Sequence, residues 1–73
     1  MARIFSGPRL REARKSAGLS VEQLAISVCR SAYSVHEYQR GRVTPSVATL
    51  AALADTLGCT VDDLLTEETA DAA

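Results

Sequence analysis

The sequence predicts an all-α fold, a compact bundle of five short helices, on three observations. The first is length: 73 residues make one domain, too short for more than a single core. The second is apolar spacing. Leu24, Ala25 and Val28 recur at helical intervals, and Val47, Leu50, Leu53, Ala54 and Leu57 do so over a longer run, whereas no segment shows the alternation of a strand. The third is punctuation, since glycine, proline, serine and threonine fall just where these runs start and stop. With only three aromatic residues (Phe5, Tyr33 and Tyr38) and no Trp, the core is expected to be aliphatic, built from Leu, Val and Ala.

Each element has its own reason. Met1 to Ser6 reads as a short arm. Gly7-Pro8 opens helix one, about Pro8 to Ala17, because proline suits a first turn that does not need its N–H. Gly18 closes it, and Leu10 and Ala13 face inward while Arg9, Arg11, Arg14 and Lys15 make the other faces basic. Ser20 to Gln23 fits a capping box and starts helix two, about Val21 to Val28. Cys29-Arg30 is a tight break, and Ser31 caps helix three, about Ala32 to Gln39, with Val35 and Tyr38 inward and Gly41 at its end. Thr44 or Ser46 caps helix four, with Pro45 near its first turn and Gly58 after its last. Thr60 caps a short fifth helix, about Val61 to Leu65, with Asp62 and Asp63 at its positive end. The helical core is thus expected over residues 8–65, followed by an acidic flexible tail over 66–73.

Charge is divided along the chain. Residues 1–43 hold all eight Lys and Arg and three acids, a net +5, while residues 44–73 hold six acids and no base, which brings the whole to −1. Such a division points to one face that meets a polyanion. Cys29 and Cys59, with no signal peptide in the sequence, read as reduced thiols in a cytoplasmic protein. With His36 they match no zinc spacing, so no metal or other cofactor is expected. No apolar run approaches the roughly 20 residues that span a bilayer. One histidine, no phosphate loop and no nucleophile set argue against an enzyme, and no small-molecule ligand is evident.

From Leu10 to Leu65 the chain resembles the lambda-repressor-like helix-turn-helix family, also called Cro/CI or XRE-type. The resemblance is carried by Leu10-Arg11-Glu12-Ala13-Arg14, Gly18-Leu19-Ser20, Leu24-Ala25, Ser31, Val35, Tyr38, Arg40-Gly41-Arg42, Pro45-Ser46, Leu50, Leu53-Ala54, Leu57-Gly58 and Val61-Asp62-Asp63-Leu64-Leu65, in this order and spacing. It implies sequence-specific binding to double-stranded DNA by a small transcription regulator or repressor, with helix three in the major groove. It places Ser31, Ala32, Tyr33, Ser34 and Glu37 toward the bases, Ser20 and Val21 at a phosphate, and Arg40 and Arg42 on the backbone. Arg9, Arg11 and Arg30 join the phosphate-facing set by their charge, and His36 is expected to be exposed and inert.

Four positions depart from the family pattern. Cys29 stands where glycine is usual, Arg30 replaces an apolar residue, and Val21 replaces glutamine. Gln39 replaces a glutamate that in the family pairs with an arginine at the place of Arg14, so Arg14 is expected to turn partly outward and to bond the Gln39 carbonyl oxygen. One recognition helix reads few base pairs, which implies a weak homodimer with Val61, Leu64 and Leu65 as interface candidates. The competing reading is a module for protein contacts or an antitoxin-like partner that keeps the fold, its acidic second half forming the partner surface.

Overall fold

Leu10, Leu24, Val35, Leu53 and Leu64 are each fully buried, and each comes from a different element. In the computed structural model, which describes residues 2–67, these elements are strand β1 (Arg3–Phe5), helices α1 (Gly7–Ser16), α2 (Val21–Ser27), α3 (Ala32–Gln39) and α4 (Val47–Leu57), a 3₁₀ turn (Asp62–Leu64) and strand β2 (Leu65–Glu67). Val21, Ala25, Val28, Tyr38 and Ala54 complete the core, which is aliphatic apart from Tyr38.

Among the described residues four α-helices form where five helices were expected. Thr60 does cap the last segment: its hydroxyl accepts from the Asp63 N–H at 3.2 Å, and its own N–H donates to Asp63 Oδ2 at 3.0 Å. The Thr60 N–H that the carboxylate accepts, with the Thr60 hydroxyl close by, holds the Asp63 carboxyl below its ordinary range, and the Arg9 charge adds to the effect. The segment nonetheless closes after one 3₁₀ turn, because Leu65 goes into an extended conformation and enters β2. Beside it, partial burial and the Asp63 charge push the Cys59 thiol up.

The sheet is the second departure. β1 and β2 pair antiparallel with Arg3 opposite Glu67, Ile4 opposite Thr66 and Phe5 opposite Leu65. The expected N-terminal arm is therefore a strand, and Thr66 and Glu67 belong to its partner rather than to a tail. The rest of the expected tail, 68–73, lies outside the described residues. Three-residue strands are too short to display a period of two, so the ribbon leaves no pattern in the sequence.

Caps set the helix ends. Ser6 Oγ accepts from the Arg9 N–H at 3.2 Å and starts α1 one residue before the expected proline. Gly7 is buried against the end of α3. A Cβ built there would meet the Gln39 carbonyl oxygen and would stand 2.7 Å from that of Tyr38, so only glycine lets the two helices approach this closely. Ser46, not Thr44, caps α4 by accepting from Thr49 N–H, which puts the buried Pro45 before the helix and not in its first turn.

Two expected apolar contacts change. Val47 is 85% exposed although it lies within about 20° of the buried Ala54 around the helix; it is the first residue of α4, two turns before Ala54. Leu64, offered as an interface residue, is consumed by the core, whereas Val61 is exposed and Leu65 half-buried.

Candidate nucleic-acid interface

The helix-turn-helix unit is α2, the turn Val28–Arg30 and α3. Each helix starts on a serine. Ser20 Oγ accepts from Gln23 N–H at 3.1 Å while Gln23 Oε1 accepts from Ser20 N–H at 2.8 Å, the reciprocal box expected of Ser20 to Gln23. Ser31 Oγ accepts from Ser34 N–H at 3.0 Å and bonds the Ser34 hydroxyl at 3.1 Å. Between the helices the Arg30 N–H donates to the Ala25 carbonyl at 2.9 Å and the Cys29 N–H to that of Ile26 at 3.2 Å. This closed turn demands a left-handed residue, and Cys29 supplies it with φ of 58°, alone among the described non-glycine residues. Ala25 is 3% exposed, small enough to leave α2 and α3 in contact.

The start and outer face of α3 are the candidate reading surface. Ser31 is exposed, Tyr33 is 71% exposed, and Ala32, Ser34 and His36 are partly so. Glu37 differs from expectation. It is only 7% exposed, and its Oε2 lies 3.2 Å from Arg40 NH1. At the end of α3 Gly41 turns left-handed and the Arg42 N–H donates back to the Glu37 carbonyl at 3.0 Å. Glu37 is thus largely buried and paired with Arg40, where an open side chain was expected.

The phosphate-facing set divides in the same way. Ser20, Arg9, Arg11, Arg40 and Arg42 are all exposed on or near α1, α2 and α3. Among the described residues, the side chains of Arg9, Arg11 and Arg42 make no hydrogen bond or ion pair. Val21 differs from them in being buried, 8% exposed and part of the core. Arg30 is exposed but donates to Thr49 Oγ1 at 3.2 Å, so it braces the turn against α4.

An open groove of about 340 Å³ adjoins this surface, lined by Arg11, Arg14, Val21, His36, Gln39 and Arg40. Arg14 bonds as its sequence context requires: Nε donates to Gln39 Oε1 at 2.8 Å, and NH1 donates to the Leu19 carbonyl at 2.7 Å. The groove brings Arg14, His36 and Gln39 to the site, which the sequence reading left outside it. Their signal was spacing, Arg11 with Arg14 on one helix and His36 with Gln39 and Arg40 on another, two faces that only the packing of α1 on α3 makes adjacent. Among the described residues no group of His, Cys, Asp and Glu side chains is placed to hold a metal, and no helix is long and apolar enough to cross a membrane.

Known proteins share this arrangement. The model of the helix-turn-helix domain family matches residues 7–67. The HTH-type transcriptional regulator DdrOP3 of Deinococcus deserti is 44% identical over 57 residues, which are 78% of this chain and 44% of that protein. A putative HTH-type transcriptional regulatory protein of Aeropyrum pernix is 43% identical over 74% of this chain and 16% of its own, so the chain spans less than half of either curated relative. Among solved structures, the P22 c2 repressor in complex with a synthetic operator is similar over 85% of this chain and 94% of its own, with a TM-score of 0.78 and 29% identity. The short α-helices, the capped turn between α2 and α3 and these likenesses agree: the chain belongs to the helix-turn-helix domain family, in its lambda-repressor-like form.

Proposed function

We propose that this chain binds double-stranded DNA in a sequence-specific manner and regulates transcription, with the N-terminal half of α3 in the major groove. The observation that carries this reading is the exposed start of α3, Ser31, Ala32, Tyr33 and Ser34, set beside a rim of solvent-facing arginines. An α-helix fits the major groove, about 12 Å wide, and enters by its N-terminal end. The likeness to a repressor bound to its operator, and to relatives named as transcriptional regulators, supports it.

In this reading Tyr33 and Ala32 meet thymine methyls or sugar, and Ser31 and Ser34 bond base edges or phosphate. Arg40, Arg42, Arg9, Arg11 and the Ser20 hydroxyl face the backbone. Glu37 holds Arg40 from inside, and Val21 contributes only backbone. Binding is by pairs of chains on two half-sites, with the exposed Val61 and half-buried Leu65 available for the contact. Selection of bound duplexes from a random pool tests all of this. The expected product is a two-fold motif with half-sites about 34–36 Å apart or a multiple of that distance, and affinity that falls steeply with salt through counterion release. A pool that yields no motif, with binding indifferent to salt, refutes the reading and favours a protein-contact module.

A further inference from the structure

The groove between α1 and α3 has a one-sided chemistry. Its lining contains three guanidinium groups, one imidazole and one amide, and no carboxylate. Arg14 engages Nε and NH1 with protein carbonyls, which leaves NH2 without a partner among the described residues. Because the Gln39 oxygen accepts from Arg14, the other end of the amide, Nε2, is turned from it, a donor without a partner among the described residues. A glutamate at position 39 would offer a second acceptor and close an ion pair with Arg14. Glutamine instead leaves the cation uncompensated and adds an N–H beside it. Among the described residues Arg40 is partly neutralised by Glu37 through NH1 alone, and Arg11 has no partner. Val21, buried under the groove, supplies an apolar wall.

Such a cavity rejects cations and rewards a compact anion with several acceptor oxygens, since planar guanidinium forks match phosphate two bonds at a time. Its volume of about 340 Å³ sits at the low end of ligand sites, about 300–1,000 Å³, and leaves ample room for phosphate or a small monoester. We infer that the groove is a binding site for a free, small phosphate-bearing anion. A regulatory consequence rests on the DNA-binding reading above: the bound anion occupies Arg11 and Arg40, which face the DNA backbone there, and so competes with DNA.

The test uses inorganic phosphate and glycerol phosphate, titrated at constant ionic strength against sodium chloride, with the arginine Nε–H and glutamine side-chain signals followed by NMR. The expected result is saturable shifts confined to Arg11, Arg14, Gln39 and Arg40. Gln39→Glu weakens the binding by about tenfold or more, as loss of a charge-assisted site requires, and Lys15→Gln, on the same helix as Arg14 but outside the groove, leaves it unchanged. Should Gln39→Glu not fold, Arg11→Gln, an exposed change, takes its place with the same expectation. Non-saturating shifts spread over all arginines, or equal affinity in the groove variant, overturn the site. Duplex binding at matched ionic strength forms the second arm. Loss of DNA affinity with phosphate beyond that with chloride supports competition, and indifference to phosphate overturns it. A protein that saturates with phosphate and binds no duplex refutes the DNA reading and leaves the site standing.

Discussion

Replacing Cys29 with glycine should stabilise this protein, although it removes a side chain. Cys29 sits at φ of 58°, where the turn between α2 and α3 is closed by the Arg30 N–H to Ala25 carbonyl bond. A left-handed conformation costs an L-residue about 1–2 kcal/mol. Glycine escapes that cost but loses more backbone freedom on folding, which returns about 0.5–1 kcal/mol. The side chain is exposed and makes no hydrogen bond among the described residues, so no burial offsets the gain. The difference favours Cys29→Gly by about 0.5–1 kcal/mol, equivalent to a rise in Tm of roughly 2–8 °C for a domain of this length. Urea unfolding under reducing conditions, with thermal melts in parallel, measures it. Cys29→Ala is the control: it removes the thiol and keeps the strained backbone, so it should change stability by less than about 0.5 kcal/mol. If Cys29→Gly melts at or below the parent, or if alanine gains as much as glycine, the strain argument is wrong.

Three further outcomes follow from the packing and the charges. Gly7→Ala should destabilise by about 1–3 kcal/mol, because its methyl must displace the carbonyls of Tyr38 and Gln39 that end α3; an unchanged denaturation midpoint would show that α1 is free to move. Arg42→Ala should weaken DNA binding evenly across sequences and lower the salt slope by about one, without loss of stability. Arg40→Ala should do the same and also destabilise on the order of 1 kcal/mol, because it strands the buried Glu37 carboxylate; the pair counts for little more than that since Arg40 itself is 58% exposed. Asp63 is held below the ordinary aspartate range, so its cap contributes stability at neutral pH that is lost as pH falls through that range and below it. Asp63→Asn should therefore narrow the stability difference between neutral and acid solution, measured as urea midpoints at the two pH values.

What could be read in advance was whatever depends on near neighbours in the chain. The serine caps at Ser20 and Ser31 and the inward Leu24, Val35 and Tyr38 follow from spacing within one or two turns, whereas the special place of Cys29 came from the family resemblance. The Arg14 to Gln39 bond spans 25 residues, and it was legible only because the family resemblance named the pair. The failures are of two kinds. Glu37 shares a helix face with Tyr33 to within a few tens of degrees, so periodicity cannot say that one is buried and the other open. Gly7, Phe5 and Leu65 owe their roles to residues far away in the chain, and a glycine chosen for a close approach looks in sequence like any helix start.

The ribbon also determines how this unit is hung. Arg3, where the polypeptide enters, lies opposite Glu67, where it leaves, so the two strands run side by side about 4.5–5.5 Å apart. The helices between them form a closed loop on a two-stranded stem. Closing a loop of some 60 residues costs about 3–4 kcal/mol of chain entropy, with a further constant, and the packed helices have already met most of that cost before the strands pair. The strands therefore pair at little further closure cost, and the stem is the natural place to graft, because polypeptide joined at Arg3 and polypeptide joined at Glu67 meet at one edge. The whole bundle can be set into a larger protein as an insert, with no need for its host to span the width of the domain.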